Sequence, residues 1–412
     1  MYFSKKIILK YGFSGFLFSF TALPLFLVTP LLYENKNGLS LGIIGLILMI
    51  VRFSDAITDP LIGKLVDKTS NNKFIKWLIP STLILSISFF GLMNPPNEFF
   101  NLFQAITWLC IFLFLVSISN GAALIAFQSW VLNITESPQQ QLRFVSSREI
   151  FTLFGVVVAS YFATQRMYLE MSLVVLVCCF FSITFLSSLS SVNLTSSQKN
   201  LNHFSFTDIF TQKTRAMFFV FGLNALANSI PALLFIFFVQ DVLNLENNVA
   251  GLLLITYFLF AIISMPFWAK KIERHGPVGI WCFAILLSII AFIWALFLNP
   301  NDFQFFLIIC SVTGFSLGAE LLCPPMILAK KIHELGHRGH LESSYFGVLN
   351  LFIKLSLALA SGTVLPTLSF YGYSSTGYSS PSSLIALQFF YAGVPCFLKV
   401  VCLLAVYKYL YK

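Results

Sequence analysis

The stretch Arg52-Phe53-Ser54-Asp55-Ala56-Ile57-Thr58-Asp59-Pro60-Leu61-Ile62-Gly63-Lys64-Leu65-Val66-Asp67-Lys68-Thr69 sets charged groups directly after an uncharged apolar run, Leu41 to Val51. A helix of about 20 apolar residues crosses the hydrocarbon core of a bilayer, and this run is the first part of one. An ionisable side chain at that depth costs at least about 2.5–3.5 kcal/mol on insertion scales, so each needs a partner, a cavity or a function. Asp55 and Asp59 are four residues apart and share a helix face, with Thr58 beside them and Arg52 one turn from Asp55. Two carboxylates on one face supply hard oxygen ligands for a small cation, or hold a transferable proton. The plainer alternative is an anchor for the inner helix end, with Arg52 as a structural counter-ion.

The rest of the chain supports a membrane setting. Of its 412 residues, 58% are hydrophobic, 17% aromatic and only 10% charged, whereas a soluble chain carries about 25% charged residues to hydrate its surface. These figures exclude a soluble globule, a disordered chain, a collagen-like repeat and a secreted disulfide scaffold. The eight cysteines all fall in apolar segments without C-x-x-C spacing, as small buried hydrophobes do. Lys5, Lys6 and Lys10 precede an apolar stretch to Tyr33 that lacks a small-residue cleavage site, which reads as a retained first span.

Twelve such stretches are present, near 9–33, 40–63, 74–93, 101–131, 146–165, 169–190, 215–240, 249–269, 277–298, 303–328, 343–366 and 384–408. With both termini inside, only Lys36 and Arg166 of the basic residues fall in outer loops. The inner loops carry Lys64, Lys68, Lys73, Lys76, Arg143, Arg148, Lys199, Lys213, Arg215, Lys270, Lys271, Arg274, Lys330, Lys331 and Arg338. That asymmetry is the signature of a cytoplasmic side. It explains the net charge of +9 without a nucleic-acid partner, since no basic stripe remains. A polar segment divides the chain near its midpoint. The expected organisation is a bundle over 1–190, a cytoplasmic linker over 191–214 and a second bundle over 215–412. At an offset of 206 or 207 residues Pro24 aligns with Pro231, Gly45 with Gly251, Pro60 with Pro266, Asp67 with Glu273 and Lys68 with Arg274. This is a parallel internal repeat, as expected when two six-helix halves rock about a central site.

The motif Arg52-x-x-Asp55-Ala56-x-x-Asp59-Pro60-x-x-Gly63-x-x-x-Asp67-Lys68-Thr69 resembles the signature of the glycoside–pentoside–hexuronide:cation symporters, and its Gly63-to-Asp67 part matches a loop motif of the wider major facilitator superfamily. Tyr11-Gly12-Phe13, Gly38-Leu39-Ser40, Thr135, Arg143, Arg148, Glu342, Lys354, Gly372-Tyr373, Gln388 and Pro395 follow that family's order and spacing. The resemblance implies an all-α membrane protein with twelve transmembrane helices in two six-helix pseudo-repeats. It implies cation coupling at Asp55, Asp59, Thr58 and Lys354, a substrate contact at Arg148 and a conformational loop motif at Gly63, Asp67 and Lys68. Read from the residues alone, Lys354 is either paired with a carboxylate or snorkels to the inner interface. Arg148 beside Glu149 is also open to a topology-setting reading.

The departures from the family are specific. Ser19, preceded by Phe18, stands where melibiose permease has a sugar-binding aspartate, and Leu124 stands where it has a third cation-site carboxylate. Glu320 falls on or beside an aromatic position, just before Pro324-Pro325. It is expected to line the substrate site with Ser19 and Arg148, or else to pair with Lys354. His333, His337 and His340 lie in an inner loop with Gly336 and Gly339 and without cysteine partners, a spacing that suits a pH-responsive loop better than a metal site. Asn133-Ile134-Thr135 and Asn193-Leu194-Thr195 match the glycosylation pattern at inner helix ends and are read as chance. Residues 369–383 form a Ser/Gly/Tyr-rich outer loop.

The expected function is secondary active symport of a sugar-like or other small polar solute by alternating access, coupled to Na+ or H+. The alternatives are a uniporter or exporter of a non-sugar metabolite, and a transporter-derived sensor. No nucleophile–base pair, nucleotide loop or zincin helix suggests an enzyme. No cofactor is expected, and no metal beyond a transported Na+ at Asp55 and Asp59. The chain is expected to be monomeric, multi-pass in a plasma membrane of the bacterial inner-membrane type, with both termini cytoplasmic.

Overall fold

The computed structural model describes residues 3–22, 24–37, 39–69, 72–96, 102–189, 205–373 and 381–411. Gly38, the Asn193–Thr195 sequon, most of the 191–214 linker and residues 374–380 of the outer loop lie outside them. The helices, in chain order, are α1 (Lys5–Ala22), α2 (Pro24–Leu27), α3 (Thr29–Asn37), α4 (Leu41–Lys68), α5 (Lys73–Met93), α6 (Leu102–Ile134), α7 (Pro138–Thr164) and α8 (Tyr168–Leu189). After a 3-10 turn at Phe206–Ile209 come α9 (Gln212–Phe237), α10 (Asn247–His275), α11 (Pro277–Phe292), α12 (Phe303–Glu334), α13 (Glu342–Phe370), α14 (Pro381–Gln388) and α15 (Val394–Val406).

These elements make twelve transmembrane spans. Among the described residues nine helices are long and apolar enough to cross a bilayer on composition alone. The other three spans are α1–α3, broken near Pro24, and α4 and α7, which carry ionisable residues at depth. The internal repeat is unequal here. Pro24 opens a separate short helix, whereas its counterpart Pro231 lies inside the continuous α9; Pro60 and Pro266 both lie within helices.

Local chemistry sets the helix ends. The Ser40 hydroxyl accepts from the Ile43 amide at 3.4 Å to start α4, and Ser137 does the same for Gln140 ahead of Pro138 at the start of α7. Side-chain oxygens here satisfy donors that the helix itself cannot. Gly276 closes α10 at φ +80°, a conformation open chiefly to glycine, and Pro277 begins α11.

The chain divides into two compact units. One comprises Met1–Ile209 with Leu328–Leu351, and the other Phe210–Ile327 with Phe352–Lys412. In the first unit α1 and α7 cross so closely that a Cβ on Gly155 would lie 2.2 Å from Ser19 Oγ and 2.6 Å from the Phe16 carbonyl. On the other helix, a Cβ on Gly15 would lie 2.7 Å from the Arg148 carbonyl. Membrane helices lack a hydrophobic drive between them and associate through such small-residue contacts. Gly45 and Gly251 of the repeat both face open space, so packing does not require either. On α4 the residues Ile50, Phe53, Ile57, Leu61 and Leu65 form one exposed apolar stripe, while Val51, Ala56, Asp59 and Val66 are buried.

The second unit is cored by α9, α15 and the π-helical segments Phe238–Val242 and Phe389–Gly393, whose Phe238 and Tyr391 rings stack at 4.0 Å. The Ser356 hydroxyl of α13 donates to the Gly222 carbonyl of α9 at 2.8 Å. All eight cysteines are free, and six of them are buried.

Candidate ion and substrate sites

The expected cation-coupling residues of the first unit sit on the inward face of α4. Asp59 is fully buried, and both of its carboxylate oxygens and Oδ1 of Asp55 are closed to solvent. The Thr58 hydroxyl donates to the Asp55 carbonyl at 3.1 Å, which directs it along its own helix. Behind Asp59 runs the first part of α13, where a Cβ on Gly347 would come within 2.6 Å of the Asp59 carbonyl. The α4 carboxylates are therefore held by close backbone packing on one side and face away from the lipid stripe on the other.

At the inner end of α4 the loop motif is assembled against the N-terminus of α13. A Cβ on Gly63 would lie 2.4 Å from the Ser343 carbonyl, so glycine alone permits this approach. Asp67 accepts from the Ser343 amide at 3.1 Å, the Ser344 amide at 2.7 Å and the Ser344 hydroxyl at 2.6 Å. The carboxylate thus caps a helix to which it does not belong, at the end where the helix dipole favours negative charge. Lys73 bridges Asp67 and Glu342, at 3.4 Å from each. Lys68 does not join the cluster; it is exposed at the C-terminal end of α4. In the same loop Arg338 donates to the Leu132 carbonyl at 3.1 Å and to the Thr135 carbonyl, closing the C-terminal end of α6. His333 is exposed and His337 buried, with His337 Nδ1 at 2.9 Å from the Tyr345 hydroxyl. Burial lowers the His337 pKa below its ordinary value, against an opposing pull from Asp208.

The expected substrate residues of the first unit both lie on the α1/α7 crossing, Ser19 against Gly155 and the Arg148 backbone against Gly15. Arg148 is buried and folds back on its neighbour, its Nε and Nη2 donating to Glu149 Oε1 at 2.9 and 2.6 Å. Its Nη1 has no hydrogen-bond partner among the described residues. The Tyr11 hydroxyl lies within hydrogen-bonding reach of Arg148 and donates to the Phe127 carbonyl at 2.6 Å. Ser19 is buried, and its hydroxyl donates to the Phe16 carbonyl at 3.0 Å.

In the second unit the cation that meets Glu320 is Lys399 of α15, at 2.6 Å, and not Lys354. Lys354 is half-buried on α13. The second Glu320 oxygen accepts from Asn228 Nδ2 of α9 at 2.9 Å. The criterion that singles out Lys354, a lysine in an apolar run, also fits Lys399 in Pro395-Cys396-Phe397-Leu398-Lys399-Val400-Val401. Its pairing with Glu320 is a tertiary fact that spacing does not reveal.

With this geometry in view, the comparison of the sequence with known families is decisive: residues 10–412 match the family described as MFS/sugar transport protein. The chain belongs to that family. It is a multi-pass membrane protein and a secondary transporter of a small solute. Among its relatives is the uncharacterized symporter YnaJ of Bacillus subtilis, 25% identical over 413 residues, covering 92% of this chain and 85% of that one. Another is the sodium-dependent lysophosphatidylcholine symporter 1 of Gallus gallus, 27% identical over 167 residues, covering 39% of this chain and 31% of that one. Similar folds include a bacterial homologue of the iron transporter ferroportin in an outward-facing state. It is 15% identical, with a TM-score of 0.71 over 98% of this chain and all of that one. The E. coli fucose:proton symporter is 13% identical, with a TM-score of 0.67 over 98% of both chains. These structures establish the major facilitator fold.

Proposed function

We propose that the protein is a cation-coupled symporter of a small polar solute, with Asp55 and Asp59 as the site of the coupling ion, Na+ or H+. The observation that carries this reading is the pair of carboxylates one helical turn apart on α4, with Asp59 wholly enclosed and Asp55 half-buried with one oxygen closed to solvent. Two anionic groups at membrane depth are costly, and a bound cation or proton offsets that cost while lowering the electrostatic barrier to reorienting the loaded carrier. Thr58 belongs to the same coupling group, and Ser19 and Arg148 to the substrate site of a sugar-like solute. Arg148 Nη1, with its open donor, supports that last assignment. Gly63 and Asp67 hold the inner end of α4 to α13 in one conformation and release it in the other, with Lys68 as the third residue of the motif. The distribution of Lys and Arg supports a plasma-membrane protein, of the bacterial inner-membrane type, with both termini cytoplasmic. Bundles over 1–190 and 215–412, joined by the 191–214 linker, are the moving parts, and the monomer is the working unit.

The test is uptake into proteoliposomes from a panel of labelled sugars, amino acids, nucleosides and lysolipids under imposed sodium or proton gradients. Asp55→Asn and Asp59→Asn should each abolish uphill accumulation while leaving the protein inserted and monodisperse. Full gradient-driven accumulation in the Asp59→Asn variant would remove the carboxylate pair from the coupling mechanism. Leu124, at the third carboxylate position of the resembling family, favours one second reading, a uniporter; flux indifferent to both gradients in the unmodified protein would establish it.

A further inference from the structure

Residues 1–33 and 171–207 contain no aspartate or glutamate, yet the first of these stretches carries Lys5, Lys6 and Lys10. In the first unit α1 and α8 run side by side in opposite directions, in a register fixed by three contacts. Lys10 Nζ lies 3.4 Å from Ser188 Oγ, the Phe13 and Phe185 rings meet at 5.5 Å, and the Ser14 and Ser182 hydroxyls hydrogen-bond at 2.6 Å. The chemistry along this seam changes within about one helical turn. Lys5, Lys6, Ser187 and Ser188 are exposed at its end, and beyond them the seam presents exposed apolar surface at Phe181 and Phe180, with Leu9 exposed beside Lys10. Lys6 and Lys10 are four residues apart and share a helix face. Among the described residues neither they nor Lys5 forms an ion pair. A lysine that only marks one side of a membrane needs water alone and extends into it. Lys10 instead leans over the Phe185 ring, 5.7 Å from its centroid, and gives Ser188 one of its three N–H bonds. Its ammonium is thereby held at the boundary between polar and apolar surface.

We propose that the α1/α8 seam binds an anionic phospholipid, with its phosphate between Lys6 and Lys10 and one acyl chain along Phe13, Phe181 and Phe185. Charge complementarity selects the occupant. Two ammonium groups with no carboxylate near them on either helix favour a headgroup of net negative charge over a zwitterionic one, whose own cation they would repel. The exposed rings favour a lipid over a soluble phosphate, which has no apolar part to lay against them. The site lies wholly within the first unit. It is separate from the α4 carboxylates and does not depend on the reading given to them.

Native mass spectrometry of the purified full chain in detergent, with dioleoyl phosphatidylglycerol or dioleoyl phosphatidylcholine added, tests this without a transport substrate. The chain should retain phosphatidylglycerol in preference to phosphatidylcholine. Lys6→Gln with Lys10→Gln should weaken that retention on the order of thirtyfold, the scale of two cations beside an anionic headgroup. Lys213→Gln with Lys270→Gln removes the same charge from exposed positions elsewhere and should leave retention unchanged. Phe181→Ser, which removes an exposed ring and no charge, should also weaken it, and glycerol 3-phosphate should not displace the lipid. The proposal is overturned if the two lipids are retained equally, or if both double variants lose phosphatidylglycerol to the same extent. It is equally overturned if Phe181→Ser holds the lipid as the unmodified protein does, or if glycerol 3-phosphate displaces it, which would make the seam a site for a free anion.

Discussion

Replacing Asp67 with alanine removes three hydrogen bonds that one carboxylate makes to the first turn of α13, at 2.6, 2.7 and 3.1 Å, together with its contact to Lys73. The two amides of Ser343 and Ser344 have no carbonyl of their own helix to turn to, because they belong to its first four residues. A charge-assisted cap of this kind, largely out of solvent, is worth about 3 kcal/mol in total. The equilibrium between the docked and undocked helix end should therefore shift on the order of a hundredfold towards undocking. Hydrogen–deuterium exchange read by mass spectrometry reports it directly, as faster exchange in a peptide covering 339–351. Asp67→Asn keeps one acceptor and should give an intermediate rate. Lys68→Ala, a change at an exposed neighbour, should leave the rate near that of the unmodified protein. If Asp67→Ala exchanges at the unmodified rate, the cap does not hold α13 and the reasoning fails.

The α1/α7 crossing gives a paired prediction. Gly155→Ala places a methyl 2.2 Å from Ser19 Oγ and 2.6 Å from a backbone carbonyl that cannot rotate away, and should destabilise the protein by about 1–3 kcal/mol in a thermal unfolding assay. Gly45→Ala, which meets open space, should leave the unfolding temperature unchanged or raise it. His337 gives a pH dependence with a fixed sign. Its folded-state pKa lies below the unfolded value of about 6.5, so the unfolded chain binds more protons in that window. Its contribution to stability is complete above about pH 6.5 and is lost as pH falls towards the folded-state pKa. His337→Gln should flatten that part of the profile of unfolding temperature against pH, and an unchanged slope would show that His337 does not cause it.

The membrane class, the twelve spans and the place of the α4 carboxylates were legible because each rests on local chemistry: run length, charge at depth and a four-residue spacing. Gly63 and Asp67 were legible as a motif, but their partners Ser343 and Ser344 were not, since a cap supplied by a distant helix leaves no periodic trace. The same holds for Lys399. Its burial beside Glu320 depends on how α12 and α15 pack, and Lys354 satisfies the same sequence rule equally well. The midpoint polar segment suggested a clean division, yet residues 328–351 cluster with the first unit through contacts such as Gly347 against Asp59. Ser19 shows the opposite case. In the sequence it stands as a substitution within a sugar site, and the crossing of α1 with α7 gives it a packing role as well, because a larger side chain would meet Gly155.

The exposed stripe of Ile50, Phe53, Ile57, Leu61 and Leu65 on α4 has a practical use. A single cysteine placed at Ile57 would carry a spin label or an environment-sensitive dye two residues from Asp59 along the chain, but on the opposite side of the helix. The native thiols offer little competition for a membrane-permeant reagent, since six of the eight are buried and the other two, Cys110 and Cys282, are only partly accessible. Such a reporter would follow the movement of the carboxylate-bearing helix through hydrocarbon while leaving the carboxylates themselves chemically untouched.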